Sequence, residues 1–179
     1  EWVSVSLGDH YPDYGQLSLA GIRARGVGIA LKPGNFRFEA NVGQTHRGVE
    51  GDSLENRSGT YSRWLYGARL GYDNGDDLRI NVNVAKMLDG VASISNPYGT
   101  MPQENLLGGV DVQARFDHGL TYKAELVGSA HTRDVESAVI RPEGVPEWIS
   151  GFITPHSSTS VQYSMRHELK LMLTDANLL

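Results

Sequence analysis

The sequence predicts an all-β chain of antiparallel strands wired up and down, and three observations predict it. Apolar residues recur with period two along most of the chain, no segment shows convincing helical periodicity, and short and long connections alternate. The composition agrees: 21 glycines in 179 residues, with Val, Ile, Leu, Tyr and Thr in short runs between Gly, Pro, Asn and Asp.

Eight strands are expected. The first, 2–7, alternates Val3, Val5 and Leu7 with Trp2, Ser4 and Ser6. The second, 16–32, places Leu17 and Leu19 on the same parity as Arg23 and Arg25. A bulge near Ala20 and Gly21 would restore its register, because one extra residue flips every later side chain. The third, 35–44, sets Phe36, Phe38, Ala40 and Val42 against Asn35, Arg37, Glu39 and Asn41. In 60–72 one face carries Trp64, Tyr66, Ala68, Leu70 and Tyr72, and the other Arg63, Gly67, Arg69 and Gly71. Strand 77–86 opposes Leu78, Ile80, Val82 and Val84 to Asp77, Arg79, Asn81 and Asn83. Strand 105–116 opposes Leu106, Val110, Val112, Ala114 and Phe116 to Asp111, Gln113 and Arg115. Strand 120–131 opposes Leu120, Tyr122, Ala124, Leu126 and Ala130 to Lys123, Glu125 and Ser129. The last, 159–173, opposes Val161, Tyr163, Met165, Leu169 and Leu171 to Gln162, Ser164, Arg166, Glu168 and Lys170.

Short turns are expected at 32–35 around Pro33 and Gly34, at 73–77 around Asn74 and Gly75, and at 117–119. Long connections lie between them at 45–59, 87–104 and 132–158. Transmembrane barrels are wired in this way, with short turns at one rim and long loops at the other. A further turn signal at 174–177 precedes Leu178 and Leu179, which are placed to begin a ninth strand. The expectation is therefore a contiguous part of the wall of a barrel with more than eight strands.

Charge placement is the physical test of a membrane crossing. A lipid-facing Arg or Lys at mid-bilayer costs roughly 2–4 kcal/mol, so the lipid face should be cleared of charge. Arg37, Glu39, Arg63, Arg69, Arg79, Asp111, Arg115, Lys123, Glu125, Arg166, Glu168 and Lys170 all fall on the polar parity, with His167 the one titratable exception. The lumen is expected to hold the charged set. Phe36, Trp64, Tyr66, Tyr72, Phe116, Tyr122 and Tyr163 are expected on the lipid face, most of them near strand ends, as in interfacial girdles. A soluble antiparallel sheet would show the same alternation with its faces swapped, as in a lipocalin-like barrel or a fibre subunit. Strand length and the segregation of loop lengths by rim favour the membrane reading.

The chain resembles the large outer-membrane β-barrel proteins of the Bacteroidota and Chlorobi type. The stretches that carry this are Leu7, Gly8, Asp9 and Pro12, then Leu17, Leu19, Gly21, Arg23, Arg25 and Gly26. Val42 to Gln44 continuing to Arg47, Pro102, Glu104 to Gly109, and Ala130 to Asp134 extend it. The resemblance covers most of the chain as strand–turn phrases. It implies the bacterial outer membrane as location and the barrel as fold, and it implies no catalytic residues.

Other classes are disfavoured by what the chain lacks. A net charge of −5 and a pI near 5.6 leave no basic stripe for nucleic acid. The absence of cysteine removes disulfides and thiolate chemistry. No apolar run approaches the roughly 18 residues of a membrane helix, which leaves barrels untouched. The acidic turn 73–77 lacks the distal Glu of an EF-hand, and His10, His46, His118, His131, His156 and His167 show no zinc spacing. No enzyme signature and no cofactor motif is present. Two features carry functional weight. Mixed-sign charge on the polar parity favours an internal ion-pair lattice of a plugged barrel over a selective polar lining. In 139–158, Val139, Ile140, Val145, Trp148, Ile149, Phe152 and Ile153 lie among Pro142, Pro146 and Pro155. So much apolar area is expected to fold over the lumen or to dock another envelope protein, with membrane lipid as the other partner.

Overall fold

A computed structural model of the chain describes residues 2–116, 119–140 and 152–171. The period-two alternation resolves into one eight-stranded antiparallel sheet whose strands pair strictly in chain order. They are β1 (Val3–His10), β2 (Ala24–Leu31), β3 (Phe36–His46), β4 (Ser62–Asp73), β5 (Leu78–Gly90), β6 (Glu104–Phe116), β7 (Leu120–Thr132) and β8 (Thr159–Leu171). A three-residue 3-10 turn spans Val91–Ser93.

Each short turn carries the residue its geometry requires. Gly34, Gly75 and Gly119 all have positive φ, between 59° and 89°, where a Cβ would be strained. In the acidic turn the Asn74 side-chain oxygen accepts from the backbone N–H groups of Asp76, Asp77 and Leu78 at 2.9–3.2 Å. That is Asx-turn chemistry, which closes β4 onto β5.

The second strand is shorter than its expected range of 16–32. Only Ala24–Leu31 pairs, and the expected bulge near Ala20 and Gly21 does not form. Instead 11–23 leaves the ladder and folds across one face of the sheet, here called the inner face. The Tyr14 N–H donates to the Leu19 carbonyl at 2.8 Å, and Gly21 turns at φ +70°. Tyr14 and Leu19 are fully buried against Ala24, Leu65, Ala85 and Leu107. Burying each large apolar side chain is worth about 1.5–3 kcal/mol, more than a few edge-strand hydrogen bonds return. The register shift that does occur lies in β3, between Gln44 and His46.

Connection lengths segregate by rim as expected, with 11–23 joining 47–61, 91–103 and 133–158 at one end. The loops of that end are cross-linked. Backbone bonds join Gly51 to Asn96 and Gly59 to Tyr98, both at 2.8 Å, and the Val135 N–H donates to the Pro102 carbonyl at 3.0 Å. The Glu50 carboxylate accepts from Ser95 N–H at 3.0 Å and from Asn96 N–H at 2.7 Å. These amides, Ser95 first, hold the Glu50 carboxyl below its ordinary range. A lowered folded pKa makes this tie present above the unfolded carboxyl pKa and lost as pH falls through the folded one. Hydrogen-exchange protection of Ser95 and Asn96 is therefore expected to fall in acid, and Glu50→Ala to remove it at pH 7; equal protection in the variant would refute the tie.

β1 pairs only with β2 and β8 only with β7 among the described residues, so the sheet is not closed. β8 is exposed along both faces from Val161 to Leu171.

Candidate functional site

Register places the polar parity of every strand on the inner face, in rows that cross the sheet. Near the short-turn rim one row runs Arg37, Gly71, Asn81, Asp111, Glu125, Arg166 across β3 to β8. Ion pairs form among these rows, and Asp73 and Asp89, outside the expected set, supply most of the acidic partners. Arg37 and Arg79 both grip Asp73, at 2.7 and 3.0 Å. Arg63 makes a bidentate pair with Asp89, at 2.7 and 2.9 Å. Arg69 reaches Asp111 at 3.4 Å, and Asn81 donates to the other Asp111 oxygen at 2.6 Å. Arg166 pairs with Glu168 at 3.3 Å along β8.

Asp73 and Asp89 were hidden from sequence reasoning, the first inside a turn signal and the second inside an expected loop. Parity was the available signal, since both continue the polar phase of their strands. Asp89 is almost fully buried, so removing it would deprive the part-exposed Arg63 guanidinium of its bidentate partner and destabilise this end of the sheet.

The remaining polar residues take other partners. Glu39 sits directly opposite Arg69 of β4 in the ladder. Glu125 accepts the Leu17 backbone N–H at 2.9 Å, so it anchors the inserted segment. Arg115 and Lys123 line a cavity of about 380 Å³ with Thr121, Glu168 and Lys170 at the short-turn end.

Segment 11–23 is fastened at three further points. The Arg69 guanidinium donates to the Asp13 carbonyl at 3.2 Å, and the Asn41 amide donates to the Tyr14 hydroxyl at 2.7 Å. The Tyr14 ring lies directly over Gly67, where any Cβ would collide with it. Leu65, Leu107 and Val127 interrupt the polar parity and are buried on the inner face. An apolar patch on the charged parity of three strands signals that something apolar packs there.

The outer face carries the apolar set. Phe36 and Tyr72 pair edge to face at 5.5 Å across β3 and β4. Trp64, Tyr66, Phe116, Tyr122 and Tyr163 are all exposed there. The clearance of charge from this parity is less complete than expected. Lys86 and Glu104 both point outward and pair at 2.6 Å, and Lys86 also donates to the Phe152 carbonyl at 2.7 Å. Asp9 and Arg25 share the outward parity of β1 and β2, and Asp9 pairs with Arg23 at 2.6 Å. All lie toward the long-loop rim.

Of the apolar loop, Val145, Trp148 and Ile149 lie outside the described residues, as do Pro142 and Pro146. Ile153 is buried, whereas Val139, Ile140 and Phe152 are exposed. The His156 Nδ1–H donates to the Ser137 carbonyl of the loop backbone, 2.7 Å away. Among the described residues no three His, Asp or Glu side chains come together as a metal site. No protein-family model, curated protein or solved structure matches the chain.

Proposed function

We propose that the chain forms part of the wall of a β-barrel in the bacterial outer membrane and acts as a pore, a transport or secretion channel, or a membrane scaffold. The long loops face outward and segment 11–23 narrows the lumen. The observation that carries this reading is the inverted burial of the sheet. Leu70, Val82 and Leu126 are 58, 52 and 53 % exposed, whereas Asn81, Asn83 and Asp89 on the other parity are 2, 3 and 4 % exposed. A soluble sheet buries the apolar face, because about 25 cal/mol is gained for each Å² withdrawn from water. An apolar face left open across eight strands is matched to lipid instead.

The outward charges fit that placement. Lys86, Glu104, Asp9 and Arg25 gather toward the long-loop rim, where long side chains reach the polar interface. The outer edges of β1 and β8, unpaired among the described residues, would need strand partners in such a barrel, since unpaired backbone groups in lipid cost several kcal/mol each.

Wiring provides the test. Cysteines at Leu54 and Glu136 are expected to react with a membrane-impermeant maleimide on intact cells, and cysteines at Asn35 and Asp76 only after the envelope is broken. All four positions are exposed in their loops and turns. Labelling that mixes the two sets would refute the alternating topology, and the absence of membrane protection altogether would favour the soluble alternative.

A further inference from the structure

Above segment 11–23, toward the long-loop rim, the inner face holds a cavity of about 230 Å³ that the ion-pair lattice does not fill. Register assembles it from four strands: Met87, Asn105 and His131 lie in one row across β5, β6 and β7, and Ser129 pairs with Gln162 in the next row across β7 and β8. Gln103 closes the rim end.

The charges that border the cavity are already spent. Arg63 is held bidentate by Asp89, and Glu104 is paired with Lys86. What faces the space is a set of carboxamides, one hydroxyl and one imidazole, groups that both donate and accept. The Asn105 side-chain oxygen is buried and has no hydrogen-bond partner among the described residues. A buried acceptor left unmade costs about 1–3 kcal/mol, and a rotation of the Asn105 amide toward the cavity would let a hydroxyl donor satisfy it. Met87 supplies an apolar wall beside these polar groups.

We infer that this cavity is a binding subsite for one neutral sugar residue. Hydroxyls that donate and accept at once match the amide lining, and the C–H face of a sugar ring matches Met87. The volume lies below the about 300–1,000 Å³ that encloses a drug-sized ligand, so a single ring is the appropriate size. An anionic solute is the poorer match here. The cationic surplus of Arg115, Lys123 and Lys170 lies in the other cavity, at the short-turn end. The inference takes from the barrel reading only the position of the subsite near the outer mouth.

The test uses the full chain folded in detergent micelles, with saturation-transfer NMR and calorimetry. The probes are D-glucose, D-galactose, D-mannose and N-acetyl-D-glucosamine, with D-glucuronate as the charged control. Saturable binding of at least one neutral sugar is expected, stronger than that of glucuronate. Asn105→Leu and Gln162→Leu should each weaken it tenfold or more, and Lys123→Ala should leave it unchanged. Gln162 is exposed on β8, so its variant remains informative where Asn105→Leu fails to fold. The inference is overturned if none of the four binds, if glucuronate binds as well, or if Gln162→Leu binds normally. Such a failure with the cysteine-labelling pattern intact removes the subsite and leaves the barrel; mixed labelling with sugar binding intact does the reverse.

Discussion

Arginine at Leu70, Val82 or Leu126 is expected to abolish assembly into the outer membrane, whereas arginine at Gln113 is expected to be tolerated. The three apolar residues lie mid-strand on the outer face of β4, β5 and β7 and are more than half exposed. A charge there carries about 2–4 kcal/mol at mid-bilayer, a large part of the roughly 5–15 kcal/mol that holds a domain folded. Gln113 lines the roomy inner cavity beside Arg115 and Lys123, where another long cation finds space and Glu168 nearby. Asn81, also on the inner parity, is no equivalent control. It is buried and donates to Asp111 at 2.6 Å, so a larger side chain would break the lattice. The measurement is the fraction of heat-modifiable protein in outer-membrane extracts. Leu70→Arg and Gln113→Arg assembling equally well would sink the lipid assignment of the outer face.

Tyr14→Ala is expected to release segment 11–23 while leaving the sheet folded. The substitution removes a fully buried ring, the hydrogen bond from Asn41 and the cover over Gly67. Comparable aromatic truncations cost about 3–5 kcal/mol. The segment's remaining ties are the Asp13 carbonyl to Arg69, the Leu17 N–H to Glu125 and the packing of Leu19. None of these replaces the lost packing. Trypsin should then cleave after Arg23, and single-channel conductance in planar bilayers should rise, with the far-ultraviolet circular dichroism of the strands unchanged. A variant as closed and as protease-resistant as the parent would show that 11–23 does not obstruct the lumen.

Strand order, the two faces and the rim of each connection were legible in the residues themselves. Period-two alternation is a property of the strand alone, and in Phe36–His46 or Leu78–Gly90 each side chain's face follows directly from its parity. Up-and-down wiring follows from turns such as Asn74–Gly75 that are too short for any other connection. The second strand was legible only in part. Leu17 and Leu19 look like the start of a strand when read locally, yet their destination depends on an apolar patch made by Leu65, Ala85 and Leu107 on three other strands.

The partners within the charged lattice were beyond local reading for the same reason. Parity places Arg63 and Arg69 on the polar face, but cross-strand register decides that one meets Asp89 and the other Asp111. Register depends on turn length and bulges, and one shift, at Gln44 to His46, already changes the pairing in β3. Parity puts Lys86 on the outer face, but only the tertiary structure brings Glu104 of β6 within 2.6 Å and the Phe152 carbonyl of the last loop within 2.7 Å of it. By itself, then, the sequence determined which residues alternate and where the chain turns, because those depend on near neighbours. Tertiary structure alone decided which charges meet, where 11–23 lies and which polar groups border a cavity, because each of those depends on distances between strands remote in the chain.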